Sequence, residues 1–397
     1  MPSISELALD HQRRRIALEQ RTANRVLAMW GQADRQFLDN SWDVLAPGIV
    51  QVVAAAQITA ARQSAPYLNQ VATAQGFAAT PSLGIPEAYG GVMLDGREVG
   101  ASMFGGVATT KRLIGGGMGF EQAFQAGAAF LAMVAKTSIS DIGRQSDMGL
   151  SVGRGYTQYV RVLSPGACSR CAILAGKSDY KVAFKRHPSC RCTSAPIDID
   201  GKVPSGLHDN PSDYFESLPK SEQNRIFTNG GAESIRSGAG VQSVVDSRRG
   251  ADGISTSRGI GRSTIPNSGR RITPTRIGTK ADGSPLMGYT TTEGTYRGSF
   301  RSDQNSFGVG SRRIDNNRYT SSKRTRLMPQ TLVSLTDDTA TRQLLLRDAG
   351  YLERPVTDYY SKGESSSAWI GEMNRLKAAD RAAADVFYRS AGVQLGG

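Results

Sequence analysis

Histidine, cysteine and long apolar runs are scarce in this chain of 397 residues, and each scarcity narrows what the protein can be. With only three histidines, the chain offers little material for His-based acid–base catalysis, and we expect no catalytic residues. No stretch provides about 20 uninterrupted apolar residues, so we expect no membrane-spanning segment and no membrane partner. The first ten residues mix acidic and apolar side chains, which is not the pattern of a secretory signal peptide.

The N-terminal residues have the pattern of long amphipathic helices. Ser3 and Glu6 stand at the spacing of a helix capping box. Apolar residues then recur every seven positions, at Leu9, Ile16, Ala23, Trp30 and Phe37. Residues 42–75, rich in Ala and Val, predict a second helix. We therefore assign residues 1–100 to a helical N-terminal region.

Beyond residue 100, helical pattern alternates with a short strand. Helices are predicted at 101–113, at 121–143 and, as several short pieces, over 210–250. A strand predicted at 156–163 leads into the cysteines. Together these features predict an α+β fold, in which residues 101–250 form a second domain around a cysteine knuckle at 168–192.

The C-terminal part has the composition of an extended chain. Residues 251–326 consist mainly of Gly, Ser, Thr and Arg, with too few apolar side chains for a core. Helical pattern returns within 327–397, first at 327–352 and then at 367–391. The expected organisation is an extended basic region followed by a few short helices.

Basic residues exceed acidic ones, 48 to 35, and the excess is concentrated in one segment. Between Arg248 and Arg326 there are 16 basic and 5 acidic residues, a net charge of +11 in a chain of +13. This concentration favours a polyanionic partner such as nucleic acid, although a merely solvated surface has the same composition. Because no aromatic-stacking pattern is present, contacts to phosphates rather than bases are expected. The candidate contacts are Arg248, Arg249, Arg258, Arg262, Arg270, Arg271, Arg276, Arg312, Arg313, Arg324 and Arg326.

All four cysteines lie within 25 residues and form two knuckles. The first runs from Cys168 to Cys171, and after 15 intervening residues the second runs from His187 through Cys190 to Cys192. A Cys-x-x-Cys turn presents two thiolates to one metal ion, and a second knuckle at this distance supplies the other ligands. The pattern predicts a closed, structural Zn²⁺ site in which five candidate donors compete for four tetrahedral positions.

The residues alone leave alternatives open at this cluster. Either His187 or Cys190 can complete the ligand set, and His187 can instead hydrogen-bond to a ligating sulfur. The cysteines can form one or two disulfides, which the apparent lack of an export signal disfavours. Finally, Cys168 or Cys190 can act as a nucleophile activated by His187.

The two knuckles and their surroundings resemble the phage Mu F-like head morphogenesis family. Residues 161–172 are similar to the strand and Cys-x-x-Cys turn of that family. Residues 187–192, His-Pro-Ser-Cys-Arg-Cys, match its closing motif, with Ser189 where the family often has Asn. Residues 137–144 resemble the helix end that precedes the domain. Further similarity to versions from phages of Actinobacteria lies at 213–223, 232–250 and 326–329.

This resemblance implies a minor capsid protein that acts in head morphogenesis. It implies a location in the virion, inside the capsid near the portal vertex, reached from the host cytoplasm during assembly. The implied partners are the portal protein, the major capsid or scaffold protein, and packaged double-stranded DNA. In this interpretation the metal supplies folding free energy to a domain with few strands, and the basic region neutralises DNA phosphates.

The same resemblance raises an alternative from another class, because such relatives are often labelled capsid maturation proteases. A serine protease needs a well-placed histidine, and only His11 and His208 lie outside the cysteine cluster. His11 stands beside polar Gln12 and Arg13, and we expect it to be exposed. The sequence therefore favours a structural protein over a protease.

Overall fold

The computed structural model describes residues 2–79, 84–197, 201–248, 275–279, 283–294, 312–313 and 320–352. The chain divides into two compact units, Met1–Tyr214 and Phe215–Gly397. This division lies elsewhere than the boundaries at residues 100 and 250 expected from the sequence. The reason is that the first helix of the chain packs against a long helix beyond residue 100.

The first unit combines seven described helices with one small sheet. Its helices are α1 (Ile4–Trp30), α2 (Leu38–Arg62), α3 (Ser64–Ala74), α4 (Val99–Met103), α5 (Gly105–Gly115), α6 (Phe120–Gly153) and α7 (Ser169–Ala172), with a 3₁₀ turn at Pro86–Tyr89. Its strands are β1 (Gln158–Val162), β2 (Gly176–Asp179) and β3 (Thr193–Ile197). The fold is α+β with a mainly helical N-terminal region, as predicted.

Helix α1 begins with the predicted capping box. The Ser3 hydroxyl accepts from the Glu6 N–H at 3.3 Å, and the Glu6 carboxylate accepts from the Ser3 N–H at 2.7 Å. The helix ends at Trp30, so Phe37, the last residue of the predicted stripe, lies beyond it. Between them, Asp34 forms a turn by accepting from the Gln36 N–H and donating its own N–H to a serine hydroxyl.

The predicted helix at 42–75 is two helices, α2 and α3, which meet at Gln63. Pro66 lacks the N–H that would bond to the Arg62 carbonyl, so the hydrogen-bond ladder is interrupted there. Helix α2 also begins earlier than expected, at Leu38, and it contains Pro47 inside its length.

The main apolar core of the first unit lies between α1, α2, α5 and α6. Trp30 of α1 stacks on Phe124 of α6 with ring centroids 4.9 Å apart, and its indole N–H donates to the Phe124 carbonyl. Ile49 and Val53 of α2 and Leu131 of α6 are fully buried in the same cluster. Apolar packing thus anchors the N-terminal half of helix α6, and its C-terminal half adds buried polar residues to the apolar Ile139 and Ile142.

One helical stretch, Leu38–Ala74, is long and apolar enough to cross a membrane by length and composition. About a third of its most apolar window, 33%, is buried inside the protein. Core helices that bury one face pass the same test, and Trp42, Ile49 and Val53 of this stretch belong to the apolar core. The expectation that no segment spans a membrane stays a prediction.

The small sheet is antiparallel, with the strand order β2-β1-β3. Strand β1 falls inside the predicted strand at 156–163 and pairs with β3 from Gln158 opposite Ile197 to Val162 opposite Thr193. Val162 and Ala195 pack against Leu7 of α1 and Leu68 of α3. The sheet therefore packs on helices α1 and α3, and these helices bury its apolar side chains.

The second unit contains short helices and irregular strands in its described part. Its helices are α8 (Pro211–Ser217), which crosses the boundary between the units, α9 (Lys220–Phe227), α10 (Asn229–Arg236), α11 (Val241–Ser247), α12 (Pro329–Ser334) and α13 (Thr339–Asp348). Its strands are β4 (Thr275–Thr279), β5 (Pro285–Gly288), β6 (Thr290–Gly294), β7 (Arg312–Arg313) and β8 (Thr320–Leu327). The described pieces of 251–326 are thus extended, and the short helices expected at 210–250 and 327–352 are present. The helix predicted at 367–391 lies outside the described residues.

Candidate metal centre

The antiparallel sheet brings the two cysteine knuckles together at one end. After β1 ends at Val162, the chain turns into α7, which has Cys168 as its N-cap and contains Cys171. Strand β3 begins at Thr193, opposite Val162, so Cys192 lies beside the end of β1. Strand pairing therefore places next to each other two knuckles that are separated by 15 residues in sequence.

The five predicted donors form one cluster. The His187 Nε2 lies 3.2 Å from the Cys168 Sγ and 3.4 Å from the Cys171 Sγ, and the Cys171 and Cys190 sulfurs are 3.6 Å apart. Cys192 joins Cys171 and Cys190 in a second triad, whose ligand atoms all lie within 4.8 Å of one another. Cys171 belongs to both triads and occupies the centre of the cluster.

These separations fit a shared metal ion and not a disulfide. With Zn–S bonds of about 2.3 Å and Zn–N bonds of about 2.0–2.1 Å, tetrahedral geometry places sulfurs about 3.8 Å apart and a sulfur about 3.6 Å from a nitrogen. A disulfide needs about 2.05 Å between sulfurs, and all four cysteines are free. The predicted residues thus form a cluster that could hold a metal ion.

In the absence of a cation, the thiols of the cluster compete for protons. The pKa of Cys168 is lowered to about 4, chiefly by its hydrogen bond with Cys171 and further by His187, against the opposing effect of burial. The same Cys168–Cys171 bond raises the pKa of Cys171. The pKa of His187 is raised, chiefly by its hydrogen bond with Cys168. A divalent cation would replace the shared protons and let more of these sulfurs be thiolates together.

The surroundings of His187 favour a metal ligand over a catalytic base. Its Nε2 faces two sulfurs, and its Nδ1 lies 2.8 Å from the carbonyl oxygen of Pro188. An imidazole whose second nitrogen is held by a backbone carbonyl is typical of metal sites. Of the two thiols that the sequence left open as nucleophiles, Cys190 is only 2% exposed, so a substrate could not reach it, whereas Cys168 is partly exposed.

Residues 180–192, between β2 and β3, form the ligand loop, and helix α6 holds this loop through polar side chains that were not among the site residues predicted from the sequence. The guanidinium of Arg144 donates to the carbonyl oxygens of Cys190 and Cys192, at 2.9 and 3.1 Å. The set is Thr137, Ser140, Asp141 and Arg144. Its i, i+3, i+4, i+7 spacing marks one helix face and is a signal that the sequence does contain.

Ser189, in the ligand loop, has a φ of 58°, which costs an L-residue roughly 1–2 kcal/mol. Asn and Gly adopt this left-handed conformation more readily. We expect Ser189→Asn and Ser189→Gly to tighten zinc binding by about 2- to 5-fold, because less strain remains in the bound loop. Competition with a chromophoric chelator measures the effect. Ser169→Gly, in helix α7, is the control and should not tighten zinc binding. Weaker zinc binding by both Ser189 variants would show that the backbone of Ser189 is not strained in the bound loop.

A second polar cluster lies between α1, α3 and α6. The Asp147 carboxylate accepts from the Arg15 guanidinium at 2.8 Å and lies 3.1 Å from the His11 Nε2. The His11 ring stacks on Tyr67, with centroids 4.0 Å apart. The expectation that His11 is exposed is wrong, because it is 1% exposed. The polar face of α1 that carries it packs against α6, and the His11 Nε2 lies within hydrogen-bonding distance of both Asp147 and Arg15.

The pKa values of His11 and Asp147 in this cluster are both shifted. Burial lowers the pKa of His11, and the neighbouring Asp147 only partly opposes this. Burial also acts to raise the pKa of Asp147, but Arg15 and His11 outweigh it and hold that pKa well below its usual range. The favoured state is therefore a neutral imidazole beside an Arg–Asp ion pair.

The two histidines outside the metal cluster differ in exposure to solvent. His11 is sealed from solvent. His208 packs edge-on against the Tyr214 ring, with centroids 5.4 Å apart, and burial lowers its pKa. The protease alternative is not tested by these contacts.

Gly143 allows Arg15 to lie directly across α6. A Cβ at this position would overlap the guanidinium of Arg15. We expect Gly143→Ala to lower the free energy of unfolding by about 1–3 kcal/mol. At Gly149 on the same helix a Cβ would meet only the Tyr89 hydroxyl, at 4.0 Å. Gly149→Ala should therefore raise the free energy of unfolding by about 0.5–1 kcal/mol. Urea unfolding of both variants decides: opposite signs are expected, and equal effects would contradict this packing.

The structure describes part of the predicted phosphate-binding set. Arg248 follows α11 and is partly buried, which lowers its pKa. Arg276 is exposed on β4. The short strand β7, Arg312–Arg313, pairs with β8, the strand that contains Arg324 and Arg326. The others, Arg249, Arg258, Arg262, Arg270 and Arg271, lie outside the described residues.

Comparison with known proteins finds no matching family model, no matching curated protein and no matching solved structure.

Proposed function

We propose that the cluster binds one structural Zn²⁺ ion and that the chain is a bacteriophage minor head protein acting in head morphogenesis, inside the capsid near the portal. The observation that carries the proposal is the convergence of Cys168, Cys171, His187, Cys190 and Cys192 on one point. Thiolates with an imidazole are the donor set that zinc prefers in closed structural sites.

In this proposal the ion acts as a cross-link. The cluster joins the turn after β1, through α7, to the segment that enters β3. Structural zinc of this kind holds loops that have little apolar packing of their own. The ligand loop fits that description, since Lys181, Val182 and Ala183 within it are exposed.

The head function rests on the resemblance of the same segments. The residues that resemble the Mu F-like helix end, 137–144, and those that resemble its closing motif, 187–192, hydrogen-bond to each other in the structure. Sequence similarity and spatial contact thus involve the same residues. In this function the unit that carries the zinc binds portal, capsid or scaffold protein, and the basic region lies against packaged DNA.

The test is the location of the chain in assembling and mature particles. Mass spectrometry of purified proheads and virions, combined with chemical cross-linking, should find the chain in few copies, linked to the portal protein. Its absence from particles that package DNA normally would contradict the proposal. Cleavage of capsid protein that depends on His208 would instead support the protease alternative.

The basic region provides a second test of this function. Removal of residues 251–326 takes away most of the net charge of +13, so binding of duplex DNA should weaken and its salt dependence should become flatter. The slope of log K against log salt, measured by fluorescence anisotropy for both forms, checks this. An unchanged slope would show that these arginines do not neutralise phosphates.

A further inference from the structure

We propose that Arg144 is the positioning residue of the metal centre: from helix α6, its guanidinium fixes the backbone of both Cys190 and Cys192 and so sets the spacing of the ligand loop. The inference rests on the proposed zinc binding and goes beyond it, because Arg144 itself supplies no ligand atom. Arg144 lies on a long helix, outside the two cysteine knuckles, so the cysteine motif alone does not predict this role.

The contacts of Arg144 are directed at the second knuckle. The two N–H groups of its Nη1 are shared among three acceptors: the Cys190 carbonyl at 2.9 Å, the Cys192 carbonyl at 3.1 Å and the Ser140 hydroxyl at 2.9 Å. Its Nη2 donates to Asp141 at 2.5 Å. With 4% of its side chain exposed, Arg144 has exchanged its water shell for these four partners. A buried guanidinium without them would be strongly unfavourable, so the loop and the arginine fix one another.

Neighbouring residues of α6 hold the same loop. The Ser140 hydroxyl donates to the Cys190 carbonyl at 3.1 Å. The Ser189 N–H donates to the Thr137 hydroxyl at 2.9 Å. Asp141 also forms an ion pair with Arg186, the residue before His187. This face of α6 therefore binds the ligand loop on both sides of Cys190.

Only arginine has the donor geometry for this task. Its planar fork presents five N–H groups in fixed directions, so one side chain bridges two carbonyls, a hydroxyl and a carboxylate. A lysine at this position would carry the charge as a point and could not hold the same directions together. The permanent positive charge near the cluster also offsets the charge of the thiolates.

Two helix serines offer a matched comparison that leaves the arginine in place. Ser140 and Ser138 are both buried on α6. The Ser140 hydroxyl bonds to the ligand loop, whereas the Ser138 hydroxyl donates to Ala135 of its own helix at 3.0 Å. Loss of one such bond is worth about 2- to 10-fold in an equilibrium constant. Ser140→Ala should therefore weaken zinc binding by that factor, and Ser138→Ala should not.

The experiment measures metal affinity in the full chain with Arg144→Met, Arg144→Lys and the two serine variants. Zinc Kd is obtained by competition with a chromophoric chelator, and ligand geometry by the d–d absorption bands after Co²⁺ substitution. Circular dichroism of the metal-free forms reports whether each variant is folded. We expect Kd to rise by about 10- to 100-fold for Arg144→Met, less for Arg144→Lys, with altered Co²⁺ bands in both.

Each outcome decides. Folded Arg144→Met with the Kd and Co²⁺ bands of the wild type overturns the proposal. So does equal weakening by Ser138→Ala and Ser140→Ala, which would indicate general destabilisation of α6. If Arg144→Met does not fold, Arg144→Lys and the serine pair carry the test. Failure of the wild type to bind zinc at all would instead remove the proposed metal site.

Discussion

Replacement of Asp147 by asparagine is expected to lower the free energy of unfolding by about 3–5 kcal/mol. The carboxylate is 1% exposed and is shared by Arg15 and His11, with Thr193 at 3.4 Å. Asparagine has nearly the same shape but leaves the Arg15 guanidinium buried without a counter-charge. The measurement is urea unfolding of the full chain, followed by tryptophan fluorescence.

Asp39 is the matched control for this prediction. It pairs with Lys111 at 2.5 Å, but both side chains are more than half exposed. Asp39→Asn should therefore change the free energy of unfolding by less than about 1 kcal/mol. Similar effects of the two substitutions would contradict the claim that the buried contacts of Asp147 stabilise the first unit more than an exposed ion pair does.

Replacement of Cys171 by serine is expected to weaken zinc binding by at least about 100-fold. Structural zinc contributes roughly 10–16 kcal/mol over four ligands, so one central ligand accounts for about 3 kcal/mol. Cys171 is the donor common to both triads, and a hydroxyl is a poor substitute for a thiolate. Zinc content after dialysis against a weak chelator, measured by elemental mass spectrometry, checks this.

His187→Ala and Cys190→Ser serve as comparisons, because each removes a donor from only one triad. Five donors compete for four positions and either His187 or Cys190 can be the spare one, so at least one of these two variants should retain more zinc than Cys171→Ser. A ranking in which Cys171→Ser retains the most zinc would contradict the central position of Cys171. The same series shows which donor is spare.

Loss of zinc should loosen the ligand loop without unfolding the helices. The sequence indicated a domain with too few strands to hold itself together, yet Val162 and Ala195 of the sheet are buried against Leu7 and Leu68. The apolar core around Trp30 lies apart from the cluster. We therefore expect a bound metal to order the loop and not the whole first unit, a narrower role than the sequence suggested.

Local signals in the sequence predicted the local features of the structure. The capping box at Ser3 and Glu6 and the strand before the cysteines are set by neighbouring residues, and both are present. The metal cluster was predictable for the same reason, since each knuckle is a short motif. The pairing of β1 with β3 had only to place the two knuckles side by side.

Contacts between distant segments carried no such signal. Arg15 and Asp147 are 132 residues apart, and each stands among polar neighbours, so both had the pattern of a solvated helix face. The same holds for His11, whose burial depends on the docking of α1 against α6. Charged residues that neutralise each other across a helix interface cannot be told from exposed ones until the interface is known.

The most direct test of the central claim is the metal content and coordination of reduced recombinant protein. Native mass spectrometry and zinc-edge X-ray absorption should show one zinc per chain, with sulfur ligands at about 2.3 Å. A folded, reduced protein that contains no zinc after purification in its presence, or cysteines joined to each other by disulfides, would contradict the account.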